Sequence, residues 1–268
     1  MGKIEFQDVS LDYESKGNKK RVLNHVNLDI DENEFVCLIG PSGCGKSTLL
    51  SLASGLNKPT EGNVKINGEV VKGAGTDRGV VFQHYSLFPW LTAKKNVIFG
   101  VKQAKKEKDN KKIIEKTQYF LDKVELADSG DKYPFELSGG MQQRVALART
   151  FAMDTDILLM DEPFGAIDPK VRYELQELTL NLCKNGEKKK TAIFVTHDID
   201  EAIILADRII FMRPGVIQKD IKVPKSLSGI KNRSELFLSN EYKKLHNELV
   251  SLFYQDVADK IGGSEVVL

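Results

Sequence analysis

The stretch GPSGCGKST (40–48) sets glycines, a lysine and a hydroxyl pair at the spacing G-x-x-x-x-G-K-[ST]. Gly40, Gly43 and Gly45 let a backbone wrap closely around an oxyanion, and the helix that follows points its first N–H groups at the same centre. Lys46 can reach outer phosphates, the Ser47 hydroxyl is placed for Mg2+, and Thr48 can bond an inner phosphate. Pro41, Ser42 and Cys44 fill the variable positions of the turn. In DILLMDEP (156–163), Asp161 ends an apolar run and suits Mg2+ through water, while Glu162 could take a proton from an attacking water. A further turn, ELSGGMQQR (136–144), offers Ser138 as a helix N-cap with Gly139 and Gly140 open to close approach. By itself that turn would be plain helix capping, and the DE pair a strand end.

These groups need a frame. EFVCLIG (34–40) is a continuous apolar run that suits a strand buried on both faces, and it leads into the helical KSTLLSLASGL (46–56). RGVVFQ (78–83), DILLMDEP and TAIFVTHD (191–198) predict further buried strands, the last two separated by the helical VRYELQELTLNLCK (171–184). That alternation implies a parallel sheet with its chemistry at the strand carboxyl ends. The first seventy or so residues are strand-rich, and the pattern turns helical from about 92 to 152. IIFMRPGVIQKDIKV (209–223) predicts a hairpin, and the tail from Ser234 to Lys260 an amphipathic helix.

Bulk properties exclude several classes. Of 268 residues 41% are hydrophobic, enough for a core, and the net charge of +1 gives no basic field for nucleic acid. The basic runs at 105–112 and 184–190 are mixed in sign and predict solvated loops. Cys37, Cys44 and Cys183 are scattered, which argues against a disulfide framework or zinc site. The N-terminus has no charged-then-apolar leader, and no apolar run approaches the ~20 residues that span a bilayer. Even AIILADRIIFM is broken by Asp207 and Arg208, so any membrane role is expected through a partner.

The ordered set GPSGCGKST, Gln83, LSGGMQQR, ILLMDEP, Asp168 and His197 resembles the nucleotide-binding subunit of ABC transporters over roughly residues 1–220. The resemblance implies an α/β P-loop NTPase fold of the ABC ATPase type, with a mixed, largely parallel core sheet, an antiparallel β part and an α-helical signature subdomain. It also implies a nucleotide-binding domain over 1–220, its helical part at about 90–152, and a C-terminal helical extension over 221–268. The family works as a head-to-tail dimer sandwiching ATP and Mg2+, each ATP between one subunit's P-loop and the other's signature turn. Ser138, Gly139 and Gly140 would then serve the second copy's nucleotide. Tyr13 matches the aromatic that stacks on adenine, and Gln83 the glutamine that contacts Mg2+ and the attacking water. His197 matches the histidine on the γ-phosphate, and Asp168 the aspartate that communicates across the interface. Met141 departs from the usual glutamine, and the loop before Asp168 reads GAI where SAL is common.

The segment HYSLFPWLTAKKNV (84–97), with Phe88, Pro89 and Trp90, and FMRPG (211–215) are similar to the nitrate/sulfonate/taurine import ATPases. That implies a peripheral subunit on the cytoplasmic side of a membrane. Permease subunits would dock near Gln83 and Phe88–Trp90, and an extracellular solute-binding protein would act indirectly. The alternative is a soluble ABC ATPase that serves as an assembly factor.

Overall fold

The computed structural model describes residues 2–15, 17–82, 86–104, 107–165, 167–185, 188–228 and 233–262. Strands β1 (Ile4–Ser15), β2 (Asn18–Ile30) and β3 (Phe35–Ile39) lead into helix α1 (Lys46–Ser54). Strands β4 (Glu61–Ile66), β5 (Glu69–Val70) and β6 (Arg78–Val81) precede helices α2 (Ala93–Gln103), α3 (Asn110–Lys123) and α4 (Gly139–Ala152). Next come β7 (Ile157–Asp161), α5 (Pro169–Leu180), β8 (Thr191–Val195), α6 (Ile199–Leu205), β9 (Arg208–Arg213) and β10 (Val216–Lys222). Helices α7 (Lys225–Ser228), α8 (Arg233–Leu238) and α9 (Asn240–Gly262) close the chain. The fold divides into two compact units. One is drawn from both ends of the chain, up to Lys72 and from Val195 onward; the other is the continuous stretch Gly73–Phe194.

In the discontinuous unit an antiparallel sheet runs in the order β2–β1–β4–β5. Ile4 pairs with Ile30 and Phe6 with Leu28, and with Val9, Leu23, Val26 and Val64 these side chains are buried. Each such side chain contributes roughly 1.5–3 kcal/mol when fully removed from water. Beyond the apolar part the β1–β2 ladder continues, Tyr13 opposite Lys20 and Glu14 opposite Lys19, and Arg21 of β2 bonds Asp12 of β1 at 2.8 Å and Glu61 of β4 at 2.9 Å. Tyr13 therefore lies within β1.

Every residue of β3 is buried, as a strand covered on both faces requires. It pairs in parallel with β9, Val36 to Arg208 through Ile39 to Phe211, and β10 folds back antiparallel on β9 as the expected hairpin. Helix α9 buries Tyr242, Leu245, Leu249 and Leu252, and Phe253 meets Phe211 edge-on at 5.0 Å.

In the continuous unit β6 and β7 pair in parallel, Gly79 opposite Leu158 and Val81 opposite Met160, and β8 lies beside β7. Helices α2, α3 and α4 pack together through Val97, Val101, Ile113, Leu121 and Val145, with Phe120 and Phe151 at 6.5 Å. Asn96, fully buried on α2, ties down the segment before it. Its Oδ1 accepts from the Phe88 amide at 2.9 Å, and its Nδ2 donates to the Phe88 and Leu91 carbonyls at 3.2 and 3.0 Å. The mixed sheets, with antiparallel strands in one and parallel pairs in the other, agree with the α/β expectation.

Candidate functional site

The turn from β3 into α1 is shaped by what surrounds it. Gly40 has φ 147°, and a Cβ there would lie 2.2 Å from the Met212 carbonyl oxygen, so β9 passes against bare backbone. Gly45 caps α1 at φ 112° with no side-chain hydrogen bond to the helix, and the first helical bond is Leu49 N–H to the Gly45 carbonyl at 2.8 Å. The N–H groups of Lys46, Ser47 and Thr48 open the helix before that bond, at the positive end of its dipole. Lys46 folds back over the turn. Its Nζ donates to the Gly40 carbonyl at 2.8 Å and the Pro41 carbonyl at 3.0 Å, leaving the residue 7% exposed. Ser42, Gly43 and Ser47 face outward at the mouth, and Thr48 is half-buried. The buried Cys44 places Sγ 3.8 Å from that ammonium, and burial pushes its thiol pKa up. The result is a cationic, glycine-lined cradle.

His197 enters the same unit beside this cradle. The Thr196 amide donates to the Leu38 carbonyl at 3.2 Å, which sets Thr196 beside the end of β3. Thr196 Oγ1 donates to the buried Glu201 Oε2 at 2.7 Å and accepts from the Asp198 amide at 3.0 Å. Asp198 Oδ1 then accepts from the Asp200 and Glu201 amides, at 2.9 and 3.1 Å, and so caps α6. His197 is thus an exposed residue between two neighbours held by hydrogen bonds. Sequence reasoning missed Thr196, Asp198 and Glu201. The available signal was Asp-x-x-Glu at 198–201, a capping pattern at a helix start. Tyr13 is 44% exposed, and its hydroxyl accepts from Asn57 Nδ2, which also bonds Ser51 of α1.

The continuous unit holds the other predicted groups. Ser138 caps α4 with φ −63° and ψ 161°, its Oγ accepting from the Met141 amide at 3.3 Å. Met141 takes part in this cap through its backbone, so the cap itself does not require glutamine there. Gln142 Nε2 returns to the Leu137 carbonyl at 3.1 Å, and Arg144 reaches from α4 to the Val124 carbonyl at 3.0 Å. Asp161 is the last residue of β7, half-buried. Glu162 follows with φ 44°, a left-handed conformation that costs a non-glycine residue about 1–2 kcal/mol. Sequence gave no warning of that strain. Asp168 caps α5, its Oδ1 accepting from the Val171 amide at 3.1 Å, with Pro169 at the first helical position.

Gln83 lies outside the described residues. Among the described residues no helix is long and apolar enough to cross a membrane, and no group of three or more His, Cys, Asp or Glu is arranged to hold a metal.

Comparison with known proteins extends this picture. A family model described as "ABC transporter" matches residues 23–165. The chain is 41% identical over 255 residues to a nitrate import ATP-binding protein of Synechocystis sp., covering 93% of this chain and 94% of the relative. It is 39% identical over 267 residues to a taurine import ATP-binding protein of Ruegeria pomeroyi, covering 98% of each. Its fold is similar to the solved dimeric post-hydrolysis state of an ATP-binding cassette bound to ADP and Pi. That match has a TM-score of 0.75 at 33% identity and covers 82% of this chain and 99% of the other.

Proposed function

This chain belongs to the ABC transporter family and is an ATPase, and from that premise we propose that it is the motor subunit of a membrane importer for a small oxyanion or sulfonate. The observation that carries this reading is the Lys46 ammonium, collared by the Gly40 and Pro41 carbonyls at the open N-terminus of α1. A cation and aligned N–H groups converging on one point are what a polyphosphate requires.

In this mechanism Lys46 and the backbone N–H groups of the 40–48 turn, Pro41 having none, hold the β- and γ-phosphates, and Tyr13 stacks on the adenine. Ser47, Asp161 and Gln83 supply oxygen donors for Mg2+, which neutralises phosphate charge when bound. Glu162 accepts the proton of the attacking water, and His197 and Gln83 orient the γ-phosphate and that water. Positioning and electrostatics supply most of the rate. Ser138, Gly139 and Gly140 of a second copy close over the γ-phosphate, and Asp168 lies at that head-to-tail interface. Nucleotide then becomes part of the contact between subunits, and hydrolysis releases it.

Permease subunits dock at the aromatic segment near Gln83, where Trp90 is 69% exposed and packs 5.4 Å from Phe88. Asn96 holds that segment in shape, which suits a preformed groove for a partner's helix. The subunit sits peripherally on the cytoplasmic side, and an extracellular solute-binding protein acts through the permease. Residues 1 to about 220 form the nucleotide-binding domain, about 90–152 its helical part, and 221–268 its extension. The relatives named for nitrate and taurine import support a small anion or a sulfonate-like solute.

Glu162→Gln tests the reading. The variant should bind ATP, run as a stable dimer by light scattering with ATP present, and release almost no phosphate. A variant that stays monomeric with ATP and hydrolyses at the parent rate would overturn the assignment.

A further inference from the structure

Helix α9 reaches the neighbourhood of His197 through one carboxylate. Asp200, the second residue of α6, accepts a hydrogen bond at Oδ1 from the Tyr242 hydroxyl and lies 3.6 Å from His246 Nε2. Both partners are on α9, four residues apart and on one face, and their rings stack at 5.8 Å. The Asp200 amide in turn donates to Asp198 Oδ1, and the Asp198 amide donates to Thr196 Oγ1. A continuous run of hydrogen bonds therefore leads from Tyr242 to both neighbours of His197.

We propose that Tyr242 is a positioning residue for His197, holding the 196–201 segment through Asp200. This rests on the reading above that His197 contacts the γ-phosphate. The Tyr242 ring is 6% exposed, with Phe237 edge-on at 5.1 Å, so its hydroxyl is delivered at a fixed place. Burial, and then the Asp200 carboxylate, push the tyrosine pKa upward, so it remains a donor throughout the working range of the enzyme. The rest of α9 supplies the footing. Leu245, Leu249 and Leu252 are buried, and Lys219 of β10 bonds Glu248 at 2.5 Å. The extension beyond the cassette thereby sets the precision of a residue within it.

The test uses Tyr242→Phe in the full chain, which keeps the ring and its packing and removes only the hydroxyl. A hydrogen bond to a charged group is worth roughly a tenfold change in local equilibrium. Amide exchange across 196–201 should accelerate about that much, while kcat falls about three- to tenfold at unchanged KM for ATP. Asp200→Asn should reproduce both effects. Unchanged exchange at 196–201, acceleration spread over the whole chain, or an unchanged kcat would each overturn the proposal. His197→Ala separates the two levels. If it keeps the parent kcat, the role of His197 fails, and exchange at 196–201 still decides whether Tyr242 holds the segment.

Discussion

Two helices in this molecule begin at glycine-rich turns, and they are built by opposite means. Helix α1 starts at Gly45, left-handed and without a side-chain cap, with the Lys46 ammonium folded against the turn. Helix α4 starts at Ser138 in extended conformation, capped by its own hydroxyl, with exposed Ser138 and half-buried Gly139 and Gly140. The first turn has surrounding structure pressed against it and carries its own cation. The second satisfies itself and presents a neutral, open face. A turn that binds an anion alone needs charge and enforced shape; one that closes over an anion held elsewhere needs only access and a hydroxyl.

The sharpest way to break this contrast is Lys46→Ala. It should lower kcat/KM for ATP by about 100- to 1000-fold, as loss of a single electrostatic contact to transition-state charge does. A steady-state phosphate-release assay showing less than about tenfold loss would place the two turns on an equal footing. Next in size, Gly40→Ala should destabilise the fold by about 2–4 kcal/mol, because the new Cβ meets the Met212 carbonyl and the backbone is left-handed. Denaturant unfolding reads this directly, and a loss under about 1 kcal/mol would mean the turn is not held by β9. The smallest effect on stability belongs to Ser138. Ser138→Ala should cost about 1 kcal/mol as a lost cap. Ser138→Asp should keep the cap and its stability yet abolish ATP-dependent dimer closure, because the carboxylate would face the γ-phosphate. Normal closure in Ser138→Asp would reduce this turn to capping alone.

What could be read in advance follows from how local each signal is. The Lys46 loop is specified by nine consecutive residues, and β3 before it by an unbroken apolar run, so both were legible. Ser138 was legible as a cap because capping depends on one side chain and the next turn of backbone. Tyr13 was legible as an aromatic in a strand-rich stretch, but its hydrogen bond to Asn57 was not, because that contact spans 44 positions of sequence. Glu162 announced its role by motif but not its conformation, since a left-handed glutamate is imposed by surrounding packing rather than by its own preference. The hold on Asp200 from Tyr242 spans 42 positions of sequence and leaves no local trace at either end.

The unit that carries Lys46 is assembled from the two ends of the chain, with β3 paired to β9 in parallel. During synthesis the continuous stretch Gly73–Phe194 can collapse on its own, and β1, β2, β4 and β5 can pair among themselves, while β3 still waits for β9. The phosphate-binding motif leaves the ribosome early, but the carbonyl of Met212 that presses Gly40 into shape arrives some 170 residues later. Closing so long a loop is slow relative to local contacts. A nascent chain stopped before β9 thus holds the complete motif without the strand that shapes its turn.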